Sequence, residues 1–301
     1  MLYAIGIAAA VLAAPVHDPE WDSYKKAFKK HYKDAADEEA RHSLWTVSKT
    51  RVAELNRLNG AAGKAFGINW MSDRYEHEKH KKGLVKPKDF VPNAEVKEYA
   101  PKGGKSVNWR YTEAVTAIKN QGQCGSCWAF SATEAVESQM ILGTGGKLAV
   151  DLSPQQIASC APATGQYGCQ GCNGGFTEGA YDYLKSAPGL ANAFYIPYGQ
   201  SLVESEATLA CPTAKVEAIS GELEQLQGGY AQVTGYHYAT PPCVGGCTGE
   251  KQDLKKFEAA LEHTPLSVCV NAGAWNDYTG GECPPPTNCP PPPTNCPPPT
   301  H

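Results

Sequence analysis

Cys124-Gly125-Ser126-Cys127 runs straight into an apolar stretch, Trp128-Ala129-Phe130, and belongs to a longer run that begins at Gln121. A Gly/Ser turn followed by apolar residues at helical spacing puts Cys127 at the start of a helix. Backbone N–H groups without intrahelical partners, and the positive end of the helix dipole, favour a thiolate at such a position. The thiolate is the nucleophilic form of cysteine. Two other chemistries use the same pair of cysteines, a redox dithiol and half of a zinc site. No strand-helix-strand alternation frames the run in the thioredoxin manner. No second C-x-x-C follows at zinc-finger spacing, although Cys169-Gln170-Gly171-Cys172 keeps a metal reading open.

All 12 cysteines of the 301-residue chain lie at or after Cys124. That density implies disulfides and an oxidising compartment. The N-terminus agrees: residues 1–14 are apolar, end in small residues and are too short to span a bilayer. They read as a signal peptide over 1–13, cut after Ala13. A secretory route is therefore expected, ending in a lysosome, a vacuole or outside the cell, with no membrane span. Charge is unevenly spread. Residues 15–102 hold 18 basic and 14 acidic side chains, net +4, whereas 103–301 hold 9 and 17, net −8. Complementary halves suit an intramolecular partner better than nucleic acid.

Residues 21–58 read as helical, with apolar and aromatic residues near the helix period and Asn59-Gly60 as the stop. Leu84 to Lys105 holds three prolines, many lysines and no periodicity, which reads as an extended linker. Helices are expected over 127–142, stopped by Gly143, and from Pro154, with Ser153 as N-cap. A short amphipathic helix is expected over 253–262. Strands are expected over 230–240 and, buried, over 266–272. Gly171-Cys172-Asn173-Gly174-Gly175 is a turn whose glycines let backbone approach a ligand.

The Gln121–Phe130 run closely resembles the active-site signature of the papain and cathepsin L-type cysteine proteases. Asp37, Arg41, Trp45, Ser48, Val52 and Asn56 are similar to the interlocking signature of that family's inhibitory propeptide, with Asp for Glu and Ser for Asn. Residues 67–73 resemble its second propeptide motif, with Met71 for the usual Phe. Ser106 to Arg110 resembles the start of the mature enzyme. The resemblance covers about 21–281. It implies an α+β, two-lobed papain-like fold, a helical lobe plus an incomplete β-barrel lobe, preceded by a helical propeptide. The implied segments are signal peptide 1–13, propeptide 18–80, linker 81–102, peptidase domain 103–282 and a Pro/Cys tail 283–301.

The implied activity is a cysteine endopeptidase made as an inhibited zymogen, without cofactor or metal. Its implied partners are peptide or protein substrates and its own propeptide, and a monomer is expected. Cys127 would be the nucleophile, and Gln121 with the Cys127 N–H the oxyanion hole. Gly174 and Gly175 would bind extended substrate, and Phe176, Thr177 and Cys269 would line a pocket. The implied disulfides are Cys124–Cys172 and Cys160–Cys211.

After Gly281 the family pattern breaks. Three Cys-Pro-rich repeats follow and end at His301. Proline at that density favours polyproline II. The family's catalytic histidine and orienting asparagine should lie here or beyond, and no asparagine motif is present. Of the three histidines after Cys127, His237 reads as a strand residue and His263 as a loop residue. His301 is the base candidate, set against a chance repeat residue. An inactive or truncated chain is one expectation; a catalytically dead peptide- or protease-binding relative is the alternative, and a C-x-x-C redox protein the second alternative.

Overall fold

The computed structural model describes residues 18–59, 64–79, 83–103, 106–163, 165–199, 208–213, 216, 230–242, 253–270 and 272–280. The proposed signal peptide, the Pro/Cys tail, His301 and Cys243, Cys247, Cys283, Cys289 and Cys296 lie outside them. The described residues form two compact units, 18–79 with 272–280, and 83–270.

In the first unit the single helix expected over 21–58 is two helices. α1 spans Pro19–Ala27 and α2 spans Ala35–Asn59. Asp18 caps α1, its carboxylate accepting from Glu20 N (2.9 Å) and Trp21 N (3.3 Å), with Pro19 opening the helix. The chain turns between the helices through Lys29, whose φ of 52° no α-helix accommodates. That break lets Trp21, Tyr24 and Tyr32 gather on one side of Trp45, with Trp21 5.5 Å from Trp45 and stacked 5.6 Å from Tyr32. The signature residues of α2 repeat every three or four positions and so share a face. That face grips residues 66–78. Tyr75 donates to Asp37 (3.1 Å), Arg41 forks onto Glu78 (2.5 and 2.7 Å), Ser48 donates to Ser72 O (2.7 Å), and the Asn56 amide brackets the Phe66 backbone. Beneath them Asp73 is buried and accepts from Tyr24, Tyr32 and Lys30. Arg51 reaches residue 277, making a two-pronged pair with Asp277 at 2.5 and 2.7 Å.

The second unit is built on α3 (Cys127–Gly143), whose buried face packs with α4 (Pro154–Ala163) and α5 (Thr177–Ser186). Ser153 caps α4, accepting from Gln156 N at 3.1 Å. Glu137, wholly buried on α3, accepts from Lys119, Thr116 and Leu152 N, which ties the approach to the turn before Cys127 onto the helix. The disulfides Cys124–Cys172 and Cys160–Cys211 staple this unit. α6 (Leu254–Leu261) starts at Asp253, which accepts from Lys256 N at 3.1 Å.

Among the described residues, strand structure is sparse. β1 (Leu190–Ala191) pairs antiparallel with β2 (Tyr230–Ala231), Leu190 opposite Ala231. The alternating run 230–240 therefore contributes two strand residues and one bridge, Tyr238 to Val96. The buried strand expected over 266–272 is a correction. Val268 and Val270 are about half exposed, Cys269 is exposed, and no described strand pairs with them. An apolar run is buried only where a second layer covers it, and none of the described elements supplies that layer.

Candidate active site

Cys127 is the first residue of α3 and a half-buried free thiol. The turn before it is fixed by three interactions. Cys124 is bonded to Cys172, Gly125 N donates to Cys172 O (3.0 Å), and Ser126 O accepts from Ala129 N and Phe130 N. Gly125 has no room for a side chain, since a Cβ there would stand 2.6 Å from Cys172 O. Because Cys124 is committed to Cys172, a Cys124–Cys127 redox dithiol does not exist in this structure.

Gln121 lies on the same turn. Its Nε2 donates one hydrogen to Cys124 O at 2.8 Å, which leaves the second amide hydrogen uncommitted by that bond. Sequence reasoning missed Tyr198, whose hydroxyl donates to Gln121 O (2.9 Å) and meets Ser126 Oγ at 2.7 Å, closing the turn from behind. Its ring lies edge-on to Phe130 at 4.7 Å. Nothing in the local pattern around Ile196-Pro197-Tyr198 announces that role.

Opposite Cys127 stands the glycine turn. Gly174 has φ 116°, a conformation open to glycine. Gly175 lies flat on Trp128, and a Cβ there would be 2.6 Å from the indole. Its N–H and C=O are taken by the linker: Gly175 N donates to Gly83 O (2.9 Å) and Val85 N to Gly175 O (2.9 Å), a parallel bridge centred on Leu84. A Cβ on Gly83 would stand 2.8 Å from Cys127 Sγ, so only bare backbone passes over the thiol. Phe176 is buried and meets Phe90 of the linker edge-to-face at 5.1 Å, and Thr177 opens α5. Cys269 is close enough to this group to feel its charges. Surrounding atoms, then Glu178, raise its thiol pKa, and Lys86 lowers it. Cys169 is different: burial pushes its thiol up to about 11.

Farther along, Lys97 N donates to Tyr238 O and Tyr238 N to Glu95 O. His237 Nε2 meets Tyr99 Oη at 2.6 Å, and His263 Nε2 meets Ala100 O at 2.8 Å. Both histidines thus hold the linker, and neither is paired with Cys127.

Residues 103–291 match the profile of the papain family cysteine proteases. The chain belongs to the papain family. It is 36% identical over 216 residues to procathepsin L of Mus musculus, covering 66% of this chain and 60% of that one. It is 30% identical over 249 residues to cathepsin L of Sarcophaga peregrina, covering 75% and 70%. Among solved structures, a recombinant stem bromelain precursor superposes with a TM-score of 0.62 at 24% identity, covering 87% of this chain and 75% of that one, and shares the fold. The chain thus spans about three fifths of the mouse relative's length. Among the described residues, no helix is long and apolar enough to cross a membrane.

Proposed function

We propose that this chain is the zymogen of a secreted or lysosomal cysteine endopeptidase, with 18–80 as propeptide, 81–102 as the segment lost on activation and 103–282 as the peptidase domain. Residues 1–13 would direct secretion. One observation carries the reading. Backbone of the chain's own linker runs over the free thiol of Cys127 and takes both hydrogen-bonding groups of Gly175, as an extended peptide substrate would. A peptide held there would run its backbone over Cys127 Sγ, as Gly83 does.

In the reaction, Cys127 Sγ attacks the scissile carbonyl, the amine leaves with a proton, and a thioester remains. Water then hydrolyses the thioester and restores the thiol. The Cys127 N–H and the second Gln121 amide hydrogen would hold the oxyanion, the kind of preorganised donor pair that contributes most to such barriers. Tyr198 holds Gln121 and Ser126 in place. Gly174, Gly175, Phe176, Thr177 and Cys269 would receive substrate. His301 is the base candidate from sequence, and His301→Ala tests it by loss of turnover.

The test of the whole reading is a thiol-reactive peptidyl epoxide applied before and after acid treatment. Cys127 should become the fastest-labelled cysteine after treatment, and Cys127→Ser should remain unlabelled there. Faster labelling of another cysteine, or equal labelling of Cys127→Ser, would overturn it.

A further inference from the structure

The linker does more than cover the thiol. Two residues beyond its bridge with Gly175, Lys86 sends its ammonium to Glu178 Oε1 at 2.6 Å. The carboxylate is 12% exposed, on the first turn of α5 directly after Phe176 and Thr177. Tyr238 Oη lies 3.4 Å from the same oxygen, and Thr177 Oγ1 lies 3.4 Å from Oε2. Lys86 Nζ also stands 4.5 Å from the Phe90 ring centroid, and Phe90 packs on Phe176. The cation is thus held by one carboxylate with aromatic surface beside it, the arrangement that desolvated lysines and arginines prefer. Glu178 also contributes to raising the Cys269 thiol and, after burial, the Tyr238 phenol, which goes up to about 12, so its negative charge is felt across this wall of the cleft.

Lys86 belongs to the segment that activation removes, whereas Glu178 stays. A largely buried carboxylate that loses its only salt-bridge partner among the described residues is left with an uncompensated charge and attracts another cation. We propose that Glu178 is a specificity-determining residue, forming with Tyr238 a subsite for a lysine or arginine side chain of the substrate, and that Lys86 is its stand-in within the zymogen. This rests on Cys127 being the nucleophile. The subsite lies on the side of Gly175 away from Cys127, because Gly83 covers the thiol, Leu84 faces Gly175 and Lys86 comes after both.

Peptidyl epoxides carrying Lys, Gln or Glu at successive positions from the electrophile, with the remaining positions fixed, test this on the full chain by the rate of the Cys127 adduct in mass spectrometry. Competition from the linker slows all probes on one protein alike, so it cancels from their ratio. At one position the Lys probe should react about tenfold faster than the Gln probe, the effect of one hydrogen bond to a charged group. Glu178→Gln should level that ratio, and Glu178→Lys should turn it in favour of the Glu probe. Adducts at equal rates for every position, or a Lys preference that survives Glu178→Gln, would overturn the subsite and leave the nucleophile standing. No adduct above the Cys127→Ser blank with any probe, before or after the acid treatment that uncovers the thiol, would overturn the nucleophile reading and the subsite with it.

Discussion

The aromatic knot over 18–79, the proposed propeptide, and the linker over 83–103 are consecutive in sequence and opposite in how they are held. The knot buries its aromatic rings: Trp21 is fully buried, and Tyr24 and Trp45 nearly so. Its carboxylates are locked in charged bonds. The Lys25 ammonium holds Glu38, and the Arg41 guanidinium holds Glu78, below the ordinary carboxylate range. Apart from Phe90, which packs on Phe176, the linker buries little. Leu84 is 52% and Val91 76% exposed, and what fixes the segment is a row of backbone and single polar contacts to Gly175, Glu178, Tyr238, His237 and His263. A segment held by burial opens only when its unit unfolds, whereas one held by separate polar contacts opens locally. On the proposed reading, an inhibitor built this way releases the cleft while its folded part persists.

The largest effect that would break the contrast lies in the knot. Trp45→Ala should cost about 3–5 kcal/mol, as large-to-small changes at buried aromatic sites do. Urea denaturation followed by hydrogen exchange over 35–59 reads it. Trp45→Phe should cost less, because the indole Nε1 is buried without a hydrogen-bond partner among the described residues and its loss removes an unsatisfied donor. Equal losses would show that the ring's packing is not what holds the knot. Next in size is Asp73→Asn, which strips a buried charge from under Lys30 and two tyrosine hydroxyls. About 3 kcal/mol is expected from breaking such a buried pair, and Lys30→Met should recover only part of it in the double variant.

How much of this was legible in sequence follows the same divide. The knot's contacts are periodic: Asp37, Arg41, Ser48 and Asn56 share one helix face, so their spacing announces a helix that grips something. The break between α1 and α2 was not legible, since Phe28 and Tyr32 continue the apolar spacing through it, and only the packing of Tyr32 on Trp21 makes two helices better than one. The turn before Cys127 was legible because close approach to Cys172 O admits only glycine at 125 and Cys124 is bonded to Cys172. The linker's partners were not. Lys86 and Glu178 are 92 residues apart, and Tyr99 and His237 138 apart, with no local pattern to join them. The segment 266–270 misled because an apolar strand sequence specifies a preference for burial without specifying what covers it.

Acid should separate the two regions. Burial, then Lys97, lowers the pKa of His237, so docked linker binds fewer protons than released linker. Stability therefore rises with pH, and docking weakens as pH falls below the ordinary histidine range. Glu38 and Glu78 run the other way in position: their pKa values are depressed, so their stabilisation persists until pH falls below the ordinary carboxylate range. Between those limits, from about pH 6 to about pH 4.5, the linker should exchange its amide hydrogens faster while 35–59 stays protected. His237→Phe should flatten the linker's response, since its ring no longer titrates. Loss of protection in both regions at the same pH would remove the contrast.

The smallest expected effect sharpens the account of the linker itself. Lys256 sits 2.5 Å from Glu98, an ion pair as short as that of Lys86 with Glu178, but Glu98 is 71% exposed where Glu178 is 12%. Solvent screens the outer pair, and its long side chains lose freedom in forming it. Distance alone would rank the two alike, whereas burial ranks them far apart. Lys256→Ala should thus leave the rate of Cys127 alkylation in the full chain unchanged, and Lys86→Gln should raise it several-fold, the change expected from losing a partly buried charged hydrogen bond. The Lys86 effect should shrink little in about 0.5 M salt, since pairs taken out of water are weakly screened. If both substitutions speed alkylation equally, and salt does the same to the native chain, then the linker is held by general attraction between its basic residues and an acidic unit, and the buried carboxylate has no special part in it.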